Sequence, residues 1–170
     1  CCRMSQKSLR NFSKLFVEYK TILLNDETIR KLLFYDTPDA LKREAPTKEA
    51  VDGYIFVAPV MESGITDFKR NTYIMLDVPN LDLDDTDGDG SVMGMIYITP
   101  VTTYKYWMLD DNKMRLFEIG ERVILDIDDQ KFSPSGKSTV MSMERVLIDK
   151  QLYGYAIKVI TTDDPSKGSF

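Results

Sequence analysis

The sequence predicts an α+β fold, a mostly antiparallel sheet with a central amphipathic helix packed on one face and helices at the N-terminus. Three observations carry this reading. Residues 110–127, DDNKMRLFEIGERVILDI, place Leu116, Phe117, Gly120, Val123, Ile124 and Ile127 on one helical face, with Glu118 and Arg122 four apart on the other. Strand-like segments lie on both sides of that helix. Leu9, Phe12, Phe16, Tyr19 and Leu23, at steps of three and four, form the apolar stripe of an opening helix over 9–24, with Arg10, Lys14, Glu18 and Lys20 available for solvent.

Taken in order, Asn25 is placed to cap a second turn of helix through Ile29, Leu32 and Leu33. Thr37-Pro38-Asp39-Ala40-Leu41 has a cap residue followed by proline at a first helical position. A short helix is expected from Pro46 to Asp52 behind Thr47, ended by Gly53. Three strands follow, Tyr54 to Val60, Thr72 to Val78 and Val92 to Val101, expected to run antiparallel because their connections are short and polar. In the central helix, Asp110 and Asp111 are placed at the start, where carboxylates accept from the free N–H groups and complement the helix dipole. Ser138 to Ile148 and Leu152 to Thr161 read as a hairpin across Asp149-Lys150-Gln151, the first strand having two poorly separated faces. No internal repeat or dividing linker is visible, so residues 9–162 read as one domain between a flexible N-terminus at 1–8 and a flexible polar tail at 163–170.

A chain of 170 residues can bury a core without staples, removing roughly 70% of its unfolded surface from water. The two cysteines, Cys1 and Cys2, are adjacent and can build neither a disulfide framework nor a four-ligand zinc site. Because CCR precedes Met4, residues 1–3 read as a leftover of the reading frame. Histidine is absent, which removes the commonest general base and metal ligand and every Ser-His or Cys-His nucleophile, and argues against an enzyme. The longest apolar run, Met93 to Val101, is far short of a membrane span, so no membrane partner is expected. Acidic residues outnumber basic ones by 27 to 22, and the formal charge of -5 disfavours sequence-independent attraction to DNA phosphates.

Candidate sites are few. Asp85, Asp87 and Asp89, with Gly90 and Val92, match the first eight positions of an EF-hand calcium loop, but Ile96 stands where the bidentate carboxylate belongs. They read as a solvated acidic hairpin loop, with a small calcium-dependent binding module as the alternative. Gly136-Lys137-Ser138 resembles the end of a phosphate-binding loop, yet Lys131 occupies the required glycine position and a strand follows. No carboxylate pair sits in an evident apolar pocket suited to acid–base work. Tyr104, Tyr106 and Trp107 form the densest aromatic cluster and read as core closure or interface anchors. No cofactor is expected.

The order of opening helices, three strands, one amphipathic helix and a final hairpin resembles the tail terminator and tail-completion proteins of tailed bacteriophages. The segment Thr28 to Leu41, TIRKLLFYDTPDAL, is similar to openings of neck and connector proteins in phages of Gram-positive hosts. The resemblance spans residues 9 to 161 and brings no catalytic residues; the acidic stretch 80–91 departs from it. It implies a virion protein of the neck or upper tail, assembled in the host cytoplasm as a homo-oligomeric ring, expected to be a hexamer. The implied partners are the tail tube and head-completion or portal proteins, with DNA passing through an acidic lumen. A head-completion or adaptor protein contacting the portal is the alternative role within that setting.

Overall fold

Two helices open the chain and meet at one capping residue. The computed structural model describes residues 3–57, 71–83, 92–132, 136–148 and 150–162, with side chains at 13–57, 71–78, 94–132, 136–148 and 150–161. Helix α1 spans Arg3–Asn25, starting ahead of the expected residue 9, and α2 spans Glu27–Phe34. The cap between them is Asp26, not Asn25: its carboxylate accepts from the Ile29 N–H at 3.0 Å. Its charge also complements the positive end of α2. Leu15, Tyr19 and Leu23 of α1 are fully buried, with Ile29, Leu32 and Leu33 of α2.

The Thr37–Leu41 segment forms a turn leading into a 3₁₀ helix at Ala40–Lys42. Helix α3, Lys48–Val51, is capped as expected by Thr47, whose hydroxyl accepts from the Ala50 N–H. Strands β1 (Ile55–Val57), β2 (Thr72–Leu83), β3 (Val92–Thr103), β4 (Ser138–Leu147) and β5 (Leu152–Thr162) form a sheet in the order β1-β2-β3-β5-β4. All neighbours are antiparallel except β1 and β2, which pair in parallel with Ile55 opposite Ile74. That corrects the antiparallel expectation. A parallel return needs a crossover of about a dozen residues or more, and residues 58–71 between the two strands provide that length.

Helix α4, Arg115–Ile127, lies against β3, β4 and β5 and also meets α1 and α2. Residues 110–114, assigned to the helix from sequence, instead form a turn: Asn112 has φ 62°, Met108 bridges Met114, and the Leu109 N–H donates to the Lys113 carbonyl. Asp110 therefore does not cap α4; it pairs with Lys42 at 2.6 Å. The α4 cap position is Met114, and the first helical N–H, that of Arg115, donates to the Trp107 carbonyl. The buried face is Leu116, Ile119, Gly120, Val123 and Ile127.

Phe117, expected in the core, is 41% exposed, and Ile124 is only half-buried. The helix is thus turned from the predicted phase, with Ile119 taking the central place. Gly120 faces β4, where a Cβ would lie 2.7 Å from Met143 Cε, the end of a flexible side chain that would have to move aside. Arg122 does not pair with Glu118; it reaches Asp26, while Glu118 pairs with Lys113.

The sheet face beneath the helices carries Ile74, Leu76, Ile96, Ile98, Ile157 and Val159, which are fully buried and join the helical residues in one cluster. Each such side chain contributes about 1.5–3 kcal/mol on leaving water. A register shift between Val140 and Ser142 explains the mixed faces of β4. One extra residue reverses the alternation, so Val140 before the shift and Met143 after it both pack against the core.

Candidate functional site

Three groups of polar and aromatic side chains stand apart from the apolar core, and one buried arginine ties two of them together. Arg115 is completely buried. Its Nε donates to the Tyr106 carbonyl at 2.8 Å, and its terminal nitrogens donate to the carbonyls of Leu32 (2.6 Å), Tyr35 (2.9 Å) and Thr37 (2.7 Å). One guanidinium thus closes the C-terminal end of α2, where free carbonyls and the helix dipole favour a cation, and ties it to the 104–107 segment. Burial pushes the Arg115 pKa down, with Asp36 opposing; an arginine so placed stays charged. Arg30 does the same for α1, donating to the carbonyls of Leu24 and Asn25 and to Pro46.

The segment held by Arg115 contains the predicted aromatic candidates. Tyr104–Tyr106 form a 3₁₀ turn after β3. Tyr104 is 77% exposed, whereas Trp107 is half-buried and packs edge-on against Tyr153 at 5.8 Å. The Tyr104 N–H donates to the Gln151 carbonyl, and the Thr103 N–H to that of Asn71. These bonds gather the end of β3, the start of β2 and the β4–β5 turn around an open cleft of about 710 Å³ that includes Lys105, Lys150, Tyr104, Tyr106 and Tyr153. Lys105 stands 5.3 Å from the Tyr106 ring centre and Arg145 5.5 Å from that of Tyr153. Lys150 and Tyr153 escaped sequence reasoning, because only the pairing of β5 with β3 brings them to the aromatics.

The third group brings two carboxylates of α2 and α4 together around one arginine. Asp26, the α2 cap, receives Arg122 at 2.6 Å (Nε) and 2.5 Å (a terminal nitrogen), and Asp126 lies one turn beyond Arg122 on α4. Burial, then the adjacent Asp26 carboxylate, pushes Asp126 from 3.8 up to about 6, with Arg122 pulling the other way. Asp126 Oδ2 is buried without a hydrogen-bond partner, so this oxygen is not presented to a substrate. The contact spans 100 positions of sequence, and neither aspartate belongs to a local motif.

The raised pKa has a definite sign. The fold favours protonated Asp126, so its contribution is fully present below the unfolded pKa of about 3.8 and is lost as pH rises through about 6. Asp126→Asn should therefore stabilise the protein at about pH 8 and have little effect near pH 4. Solvent reaches the half-buried side chain, so the gain is about 1 kcal/mol rather than the roughly 3 kcal/mol of an unscreened charge. Urea unfolding at the two pH values checks this, and equal curves at both would contradict it.

The calcium candidates Asp85, Asp87 and Asp89 lie outside the described residues. Among the described residues, no cluster of three or more His, Cys, Asp or Glu could hold a metal ion. Nor is any described helix long and apolar enough to cross a membrane. Gly136-Lys137-Ser138 has a structural role: Lys137 pairs with Asp129, and Ser138 Oγ shares a hydrogen bond of 2.5 Å with the buried Tyr19 hydroxyl.

Together these features define a small α+β domain with helices on one face of a mostly antiparallel sheet and a basic, tyrosine-lined cleft at one end of it. The chain belongs to the YomW family, whose model matches residues 26–161, from the Asp26 cap to the last but one residue of β5. No curated protein and no solved structure matches it.

Proposed function

We propose that this chain is a structural virion protein forming a closed ring, a hexamer, at the head–tail junction of a tailed phage, where it acts as a tail terminator that caps the tail tube and joins it to the neck. The observation that carries the reading is the pair of assembly surfaces left on a rigid body. Strand β4 is a ten-residue sheet edge with Met141 56% and Leu147 63% exposed, and Phe117 and Leu125 of α4 stand exposed on a neighbouring element. Edge backbone groups and apolar side chains of this kind favour pairing with another chain. A single heterologous contact, repeated by rotation, closes into a ring. Membership of a family with a phage-derived name supports the same setting. In this reading the net charge of -5 keeps DNA phosphates from adhering as the genome passes, and no turnover is required of the protein.

Imaging of assembled virions tests the proposal. The expected result is a ring of this chain around the channel between portal and tail tube. Its absence from the neck, or one copy off the channel axis, contradicts it, and a ring seated on the portal favours the adaptor role. Native mass measurement with tail-tube protein then gives the stoichiometry, because a ring can require its partner to assemble.

A further inference from the structure

The two ends of the sheet differ in charge. At one end, the cleft beside Thr103 presents Lys105 and Lys150 among the hydroxyls of Tyr104, Tyr106 and Tyr153, with no carboxylate among its described lining residues. Neither lysine has an ion pair among the described residues. At the other end, the connection from Leu83 of β2 to Val92 of β3 contains Asp84, Asp85, Asp87 and Asp89 and no basic residue.

Strand β3 separates these two places. Its twelve residues, Val92–Thr103, span about 37 Å at roughly 3.4 Å per residue. The eight-residue connection 84–91, which must go out and return, reaches at most about 14 Å beyond its strands. The acidic segment of a chain therefore cannot enter the cleft of the same chain.

We propose that residues 84–91 of one copy dock in the Lys105–Lys150 cleft of the next. Lysine ammonium groups and tyrosine hydroxyls donate to carboxylates, and the glycines of the segment add little bulk. Because the two surfaces differ and lie at opposite ends of the sheet, the contact is head-to-tail, the type that closes rings. The inference rests on the ring reading above and adds a charged subunit contact to the β4-edge and α4 surfaces named there. Exposed charges make the contact salt-sensitive, and repetition around a ring strengthens it.

The experiment titrates a synthetic peptide, NLDLDDTDGDGS, corresponding to residues 80–91, into the full chain. The fluorescence of Trp107, the only tryptophan, reports binding because its ring packs on Tyr153 of the cleft. A saturable change at low salt that disappears at high salt supports the proposal. The exposed-site double variant Lys105→Glu/Lys150→Glu should weaken it about tenfold or more while leaving the circular dichroism unchanged.

Absence of saturation, equal binding by the double variant, or a response to a (dT)12 oligonucleotide but not to the peptide overturns it. In assembly, a chain carrying Lys105→Glu, Lys150→Glu, Asp85→Lys and Asp87→Lys together should form the ring that either half of the exchange prevents. A virion ring whose subunits meet elsewhere overturns this inference and leaves the ring reading standing. Peptide binding by a chain that is absent from the neck supports the contact and removes the ring reading.

Discussion

Arg115→Ala is expected to destabilise the protein by about 4 kcal/mol or more. The side chain is fully buried and makes four hydrogen bonds to carbonyls from two parts of the chain; its removal takes a donor from each, although the Thr37 carbonyl keeps the Ala40 N–H. Hydrogen bonds to a charged group contribute about 1.5–3 kcal/mol each, and they do not add fully. A cavity adds to the loss. Arg115→Lys should recover only part of it, because an ammonium group cannot reproduce the planar fork that spans Tyr106, Leu32, Tyr35 and Thr37. Urea unfolding of both variants measures the effect. A loss below about 1 kcal/mol for the alanine variant would mean that water or neighbouring donors replace the guanidinium readily. The same substitution should loosen the 104–107 segment, visible as faster amide exchange there, since Arg115 ties that segment to α2.

Ile119→Ala should cost about 2–5 kcal/mol, and Phe117→Ala no more than about 1.5 kcal/mol. Ile119 is completely buried in the cluster between α4 and the sheet. Phe117 is 41% exposed and, among the described residues, makes one ring contact, to Tyr155 at 5.0 Å. The two substitutions together read the rotation of α4 about its axis. Chemical unfolding in which Phe117→Ala is the more damaging change would reinstate the phase expected from the sequence.

That phase error shows what the sequence could and could not determine. Helical spacing established that a helix occupies this region, and turn residues and alternation located the five strands, because those properties depend on near neighbours. The same local logic found the Thr47 cap and the β4–β5 hairpin. The exact buried stripe of α4 depends on what faces it. Phe117 and Ile119 are both apolar, and the anchoring of Arg115 beneath α2 turns Ile119 to the interior.

The candidate sites followed the same division. Tyr104, Tyr106 and Trp107 were legible as a cluster because they are adjacent in the chain. Only sheet pairing adds Tyr153 and Lys150 to make a cleft, through Thr103 opposite Leu152. Likewise, composition revealed that histidine is absent and acid is in excess, but Asp26 meets Arg122 and Asp126 solely because α2 and α4 pack together. The sequence by itself determined the kinds of element and their order. Tertiary structure decided the parallel β1–β2 pair, the rotation of α4 and the company each charge keeps, since all three depend on contacts between residues far apart in the chain, which carry no periodic signal.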